Sequence, residues 1–237
     1  MCKICYSLGM EVEILIQNIM LKGSLNVPVE PKGLIIFAHG SGSSRFSPRN
    51  IFVADELNKE GYTTLLFDLL TEEEDKWPVN KFEIELLTER LIGVTKWCTE
   101  NEKTKNLKIG YFGASTGSAA ALSAAAYWGT KIFSVVSRGG RADLAMEELD
   151  LIEAPVLLIV GGNDKEVIDL NRKAYVKIGC VKKMEIVAGA THLFEEEGAL
   201  EKVAELAINW FNRFLPDESV KQRIAPISKE KRAQEIA

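Results

Sequence analysis

Between Leu107 and Ala126 a short apolar run, Leu107 to Phe112, meets an alanine-rich run, Ser118 to Ala126, through the five residues Gly113-Ala114-Ser115-Thr116-Gly117. That order predicts a buried strand turning at once into a helix. A turn this sharp leaves little room for side chains, and Gly113 and Gly117 supply the emptiness it needs. The serine at its centre is then held in a strained conformation with its hydroxyl raised above the sheet, close to unpaired amides that favour developing negative charge. Two readings follow. Ser115 is a nucleophile, or it caps a buried helix.

The rest of the chain repeats the alternation. Glu11 to Ile16 and Ile19 to Leu25, split by Gln17-Asn18, predict an antiparallel hairpin at a sheet edge. Buried strands are expected at Gly33 to Ala38, Tyr62 to Phe67, Leu107 to Phe112, Ile132 to Val136, Val156 to Val160 and Lys183 to Val187. Helices are expected at Pro48 to Lys59, Lys81 to about Asn101, after the Gly113–Gly117 turn, Asp143 to Leu149, Val167 to Lys177 and Gly198 to Phe214. Such alternation gives a mostly parallel, doubly wound α/β sheet of about eight strands, with helices on both faces. Loops after parallel strands share one edge, where ligands bind. His39 to Arg45, Asp68, Ser115, Arg138 to Arg141, Asp164 and His192 should converge there.

Convergence strengthens the nucleophile reading. A serine hydroxyl needs a base, and the base needs an acid to fix its tautomer. Of the two histidines, His192 follows the last strand in Gly189-Ala190-Thr191-His192, and Asp164 follows the penultimate strand in Gly161-Gly162-Asn163-Asp164. The expected catalytic set is therefore Ser115, Asp164 and His192. Asp169 competes for the acid but sits well into a helix. An oxyanion hole should take the amide of Thr116 and a second from the loop after the third strand, Ser41 before Gly42. His39 then ties down that loop. Arg45 and Arg138 are candidate substrate-binding residues, since a guanidinium in a cleft can hold a carboxylate or phosphate; equally, the arginines can brace loops by pairing with Asp68 or Asp143.

Taken together, the GASTG turn, the HGSGSSR loop, the GGND segment and the GATHLFEE segment resemble the α/β-hydrolase superfamily, and within it the dienelactone-hydrolase-like branch, including hydrolase domains that some bacterial proteins fuse to phosphoribosyltransferases. The resemblance runs from about Glu11 to Leu215. It implies an α/β-hydrolase fold and a hydrolase that needs no cofactor. Dienelactone hydrolases proper carry cysteine at the nucleophile position; Ser115 stands there here, which favours a serine esterase on a small-molecule ester. A thioesterase, a small-peptide hydrolase and a weakly catalytic binding module stay open. Only Ser137 to Ala154 separates two strands where relatives with a cap carry a large insertion, so no large cap is expected.

Composition narrows the setting. At 237 residues and 46% hydrophobic the chain can bury one core, expected as a domain at 11–215 with a charged tail at 216–237. A net charge of -5 argues against nucleic acid or an anionic membrane as partner. No apolar stretch reaches the ~20 residues of a transmembrane helix, and the N-terminus shows no secretory pattern; a cytoplasmic protein is expected, and a homo-oligomer is compatible with it. Cys2 and Cys5 form a CxxC without the further ligands of a zinc site, so no metal is expected, and Cys98 reads as a small core residue.

Overall fold

The computed structural model describes residues 9–216. The Cys2–Cys5 pair and the charged tail beyond Pro216 lie outside the described residues. Eight strands form one sheet: β1 (Met10–Ile16), β2 (Ile19–Asn26), β3 (Gly33–Ala38), β4 (Tyr62–Phe67), β5 (Ile109–Ala114), β6 (Ile132–Arg138), β7 (Val156–Gly161) and β8 (Lys182–Val187). Their spatial order is β1-β2-β4-β3-β5-β6-β7-β8. β2 runs antiparallel to both β1 and β4, and every other pair is parallel. The expected hairpin at the edge is thus present, closed through Gln17, whose φ of 52° suits a two-residue turn.

Four α-helices connect strands, α1 (Pro48–Lys59), α2 (Ile84–Glu100), α3 (Thr116–Trp128) and α4 (Lys165–Lys177), and α5 (Ala199–Phe214) follows the last strand among the described residues. Alternation of side chains along the strands explains why the central ones are apolar throughout. On β3, Leu34 and Ile36 enter a core with Leu91 and Val94 of α2 and the alanines of α3. Ile35 and Phe37 point the other way, onto Val53 and Leu57 of α1 and Val203 and Phe211 of α5. Each fully buried side chain of that size contributes about 1.5–3 kcal/mol. Cys98 is buried in the first of these cores, where burial pushes its thiol well above the ordinary range.

Two expectations change. The helix predicted from Asp143 to Leu149 is instead two single 3-10 turns, Ala142–Ala145 and Leu149–Leu151. Arg141 grips Asp143 through two bonds of 2.9 and 2.8 Å, and Ala142, Ala145 and Leu149 bury against the core, which favours local turns over a continuous helix. The helix predicted from Lys81 begins only at Ile84, after a separate 3-10 turn at Pro78–Phe82. No large insertion separates β6 from β7. Among the described residues, no helix is long and apolar enough to cross a membrane.

Strand register brings the site together. Ala38 of β3 pairs with Gly113 of β5, Ala114 with Arg138 of β6, and Gly161 of β7 with Val187 of β8. The carboxyl ends of the six parallel strands, β3 to β8, therefore finish on one edge.

Candidate active site

Ser115 occupies the position before α3 with φ 51° and ψ -123°, a conformation that side chains resist. The turn is locked from both sides: its N–H donates to the Arg138 carbonyl at 3.2 Å, and its carbonyl accepts from Ser118 at 3.0 Å and Arg141 at 3.1 Å. A residue in that place ordinarily caps the helix with its side chain. Ser115 makes no such bond. Ser115 lines a cleft of about 270 Å³ together with Gly40, Ser41, Arg138 and His192. The strain is held by the close approach of neighbouring backbone. A Cβ at Gly117 would stand 2.2 Å from the Ala38 carbonyl oxygen, and one at Gly40 would stand 2.9 Å from the Cβ of Ser115.

Asp164 shows the same diversion. It holds the N-cap position of α4, where an aspartate normally accepts from the first-turn amides. Its carboxylate makes no capping bond and lies 2.7 Å from His192 Nδ1. That contact assigns the proton to Nδ1 and leaves Nε2 as the unprotonated nitrogen. The Asp164 side chain is 15% exposed, shielded enough for the contact to be directional. Asp169, the competing acid, is spent on an exposed pair with Arg172.

The loop after β3 is a tight turn, closed by Ser43 N–H to the Gly40 carbonyl at 3.2 Å, with Gly42 at φ 71°. Ser41 lines the cleft, whereas Gly42 faces a separate small pocket beside His39 and Leu69. The Ser41 amide donates to the Thr116 hydroxyl at 2.8 Å. The Thr116 amide lies in the first turn of α3, where no intrahelical acceptor exists. His39 ties the loop as expected: Nε2 accepts from Leu69 N–H at 3.1 Å, so Nδ1 carries the proton and donates to the Gly40 carbonyl at 3.0 Å. Burial lowers its pKa and keeps it neutral.

The two candidate arginines part company. Arg45 does not line the Ser115 cleft. Asp68 takes both its backbone N–H, at 2.8 Å, and its guanidinium, Glu11 accepts a second guanidinium bond at 3.2 Å, and Phe46 stacks beneath it. Two carboxylates neutralise it away from the cleft, and only its Nε is buried without a partner. Arg138 lines the cleft, and it is buried. Its Nη2 donates to the Asn50 side chain at 3.2 Å, and the Phe194 ring lies 6.0 Å away.

Three contributors escaped the sequence reading. Asn50 holds Arg138; fully buried Asn171 donates to the Gly140 carbonyl at 2.7 Å and fixes the loop behind it; Phe194 sits at φ 56° against the arginine. A polar residue inside an amphipathic helix gives no sign of its tertiary partner, and only the positive φ of Phe194, beside His192, marks a site in retrospect.

Comparison with known proteins places this geometry. A family model described as the dienelactone hydrolase family matches residues 21–216. The crystal structure of a dienelactone hydrolase from Anabaena variabilis is 49% identical and superposes with a TM-score of 0.85, covering 87% of this chain and 98% of that one. An esterase from Pyrococcus furiosus shares the fold at 18% identity, with a TM-score of 0.73 over 89% of this chain and 93% of its own. Two Mycobacterium tuberculosis proteins provisionally named phosphoribosyl transferases are 52% identical over 201 residues, which is 85% of this chain. The chain spans about half the length of those curated relatives, 45% of each. With the family model covering residues 21–216 and the fold matching over 87% of its length, the chain belongs to the dienelactone hydrolase family.

Proposed function

We propose that this protein is a serine hydrolase that cleaves a small carboxylic ester through an acyl-enzyme. The observation that carries the reading is the carboxylate of Asp164, withdrawn from its helix cap and set 2.7 Å from Nδ1 of His192, in a cleft that His192 shares with the strained Ser115.

In this reading His192 Nε2 takes the Ser115 proton as Oγ attacks the ester carbonyl, and Asp164 holds the ring and stabilises the imidazolium. The Thr116 amide receives the charge that develops on the carbonyl oxygen, joined by the Ser41 amide as it exchanges the Thr116 hydroxyl for a stronger, charged acceptor. His192 then returns the proton to the leaving alcohol. Water, deprotonated by the same nitrogen, releases the acid. An open cleft of about 270 Å³ suits a small substrate.

Rapid mixing with 4-nitrophenyl butyrate tests the mechanism. The account expects a burst of one nitrophenol per protein, then a slower steady rate. Turnover of simple esters that depends on an added metal, or that survives loss of His192, contradicts it.

A further inference from the structure

One wall of the cleft carries more positive charge than the chain compensates. Arg138 is 7% exposed, and its Nε and Nη1 are buried without a hydrogen-bond partner among the described residues. Arg49 lines the same cleft; its Nε is likewise buried and unpartnered, and its Nη1 reaches Glu195, whose side chain is 64% exposed. None of the described residues lining the cleft is acidic. Burial, followed by the nearby Arg49, pushes the Arg138 guanidinium down to about 10, which leaves it cationic at neutral pH.

A buried cation with two unsatisfied donors costs free energy unless something arrives to accept from them. The surroundings specify what. The N-terminus of α1, a helix of 12 residues, opens on the cleft with Ser47 as its cap and Asn50 as the partner of Arg138. Pro48 has no N–H and Asn50 gives its own to the Ser47 hydroxyl, so the α1 terminus offers the Arg49 amide; with the hydroxyls of Ser43 and Ser47 and two guanidiniums it forms a multi-sided donor array. A planar carboxylate would leave one cation and several donors unmatched. A phosphate monoester brings up to two negative charges and three terminal oxygens, and matches them.

We infer that this wall is a phosphate subsite, and that the ester attacked by Ser115 carries a terminal phosphate on its acyl or alcohol part. The inference deepens the hydrolase reading and rests on it for the ester. The phosphate subsite itself rests on Arg138, Arg49 and the α1 terminus.

Three 4-nitrophenyl esters of similar length test it: those of 3-phosphonopropionic, succinic and butyric acids, corrected for enzyme-free hydrolysis. The expected result is a kcat/KM for the phosphonate ester at least roughly tenfold above both others, arising mainly in KM. Inorganic phosphate should inhibit butyrate hydrolysis competitively. In Arg138→Gln the ratio of phosphonate to butyrate ester should fall towards one, and Arg49→Gln, at the more exposed position, gives the same trend if the buried substitution does not fold. Equal use of the phosphonate and butyrate esters by the folded wild type overturns the subsite and leaves the hydrolase intact. Preference for the succinate ester overturns phosphate as the anion. If no ester is turned over, the hydrolase reading fails, and calorimetry with inorganic phosphate decides the subsite by itself: binding weakened at least about tenfold by Arg138→Gln sustains it, and no binding ends it.

Discussion

The carboxylate of Asp164 lies 2.7 Å from Nδ1 of His192, although Asp164 occupies a helix N-cap where its natural acceptor role is toward its own backbone. The helix forgoes a cap worth about 1 kcal/mol, and the histidine gains a fixed tautomer. Asp164→Asn should keep the fold and lower kcat by about 10²–10⁴-fold, because the amide can present its N–H to Nδ1 and stabilise the wrong tautomer. Steady-state kinetics at neutral pH check this. A change under about tenfold would assign the acid's role elsewhere.

Beside the role proposed for its amide, Thr116 makes a contact through its hydroxyl. Because Oγ1 accepts from the Ser41 amide at 2.8 Å in a region where Thr116 is buried, Thr116→Val should leave that amide unpaired and reduce stability by about 1–3 kcal/mol, while Thr116→Ser restores most of it. Urea denaturation of the three proteins reads the difference as a shift in midpoint. Equal midpoints for all three would show that the contact is dispensable.

Gly117 should tolerate no side chain. A Cβ there meets two backbone oxygens, of Ala38 at 2.2 Å and His39 at 2.4 Å, and backbone cannot rotate aside as a side chain would. Gly117→Ala is expected to lose about 3 kcal/mol or more, or to fail to fold. A thermal midpoint within a few degrees of wild type would mean that the turn at Ser115 is looser than its packing indicates.

His39 makes stability depend on pH. Its folded pKa lies below the ordinary value of 6.5 because burial penalises the charged ring. Below 6.5 the unfolded chain therefore binds more protons than the folded one, so this contribution is fully present above about pH 6.5 and is lost as pH falls towards the lower folded pKa. Denaturation at pH 5.5, 6.5 and 7.5 should show a loss on acidification that is smaller in His39→Gln, which can still accept from Leu69. Identical pH profiles for the two proteins would remove His39 as the cause.

Much of the framework was readable in advance for physical reasons. Gly33–Ala38, Pro48–Lys59 and Tyr62–Phe67 match their predicted limits, because two-sided burial forces continuous apolar strands and Pro48 and Gly61 punctuate the helix between them. Ser115, Asp164, His192, Ser41 and Arg138 were nameable because each directly follows or ends a parallel strand, and topology then gathers them. What sequence could not separate was Arg45 from Arg138. Both lie on the same edge, and only the placement of Asp68 and Glu11 around the first shows that it is neutralised. Asn50 and Asn171 are buried amides inside amphipathic helices, where their partners are set by tertiary packing alone. The helix expected from Asp143 to Leu149 gives way to two turns, because the Arg141–Asp143 pair and the buried Ala142, Ala145 and Leu149 are set by tertiary packing.

The most direct measurement is covalent labelling of the folded protein by a fluorophosphonate probe, located by mass spectrometry, in the wild type and in Ser115→Ala. The account predicts one adduct on the peptide containing Ser115, no adduct in the variant, and loss of ester hydrolysis there by at least about 10³-fold. An unlabelled but folded wild type, or a variant that keeps its turnover, would contradict a nucleophilic Ser115.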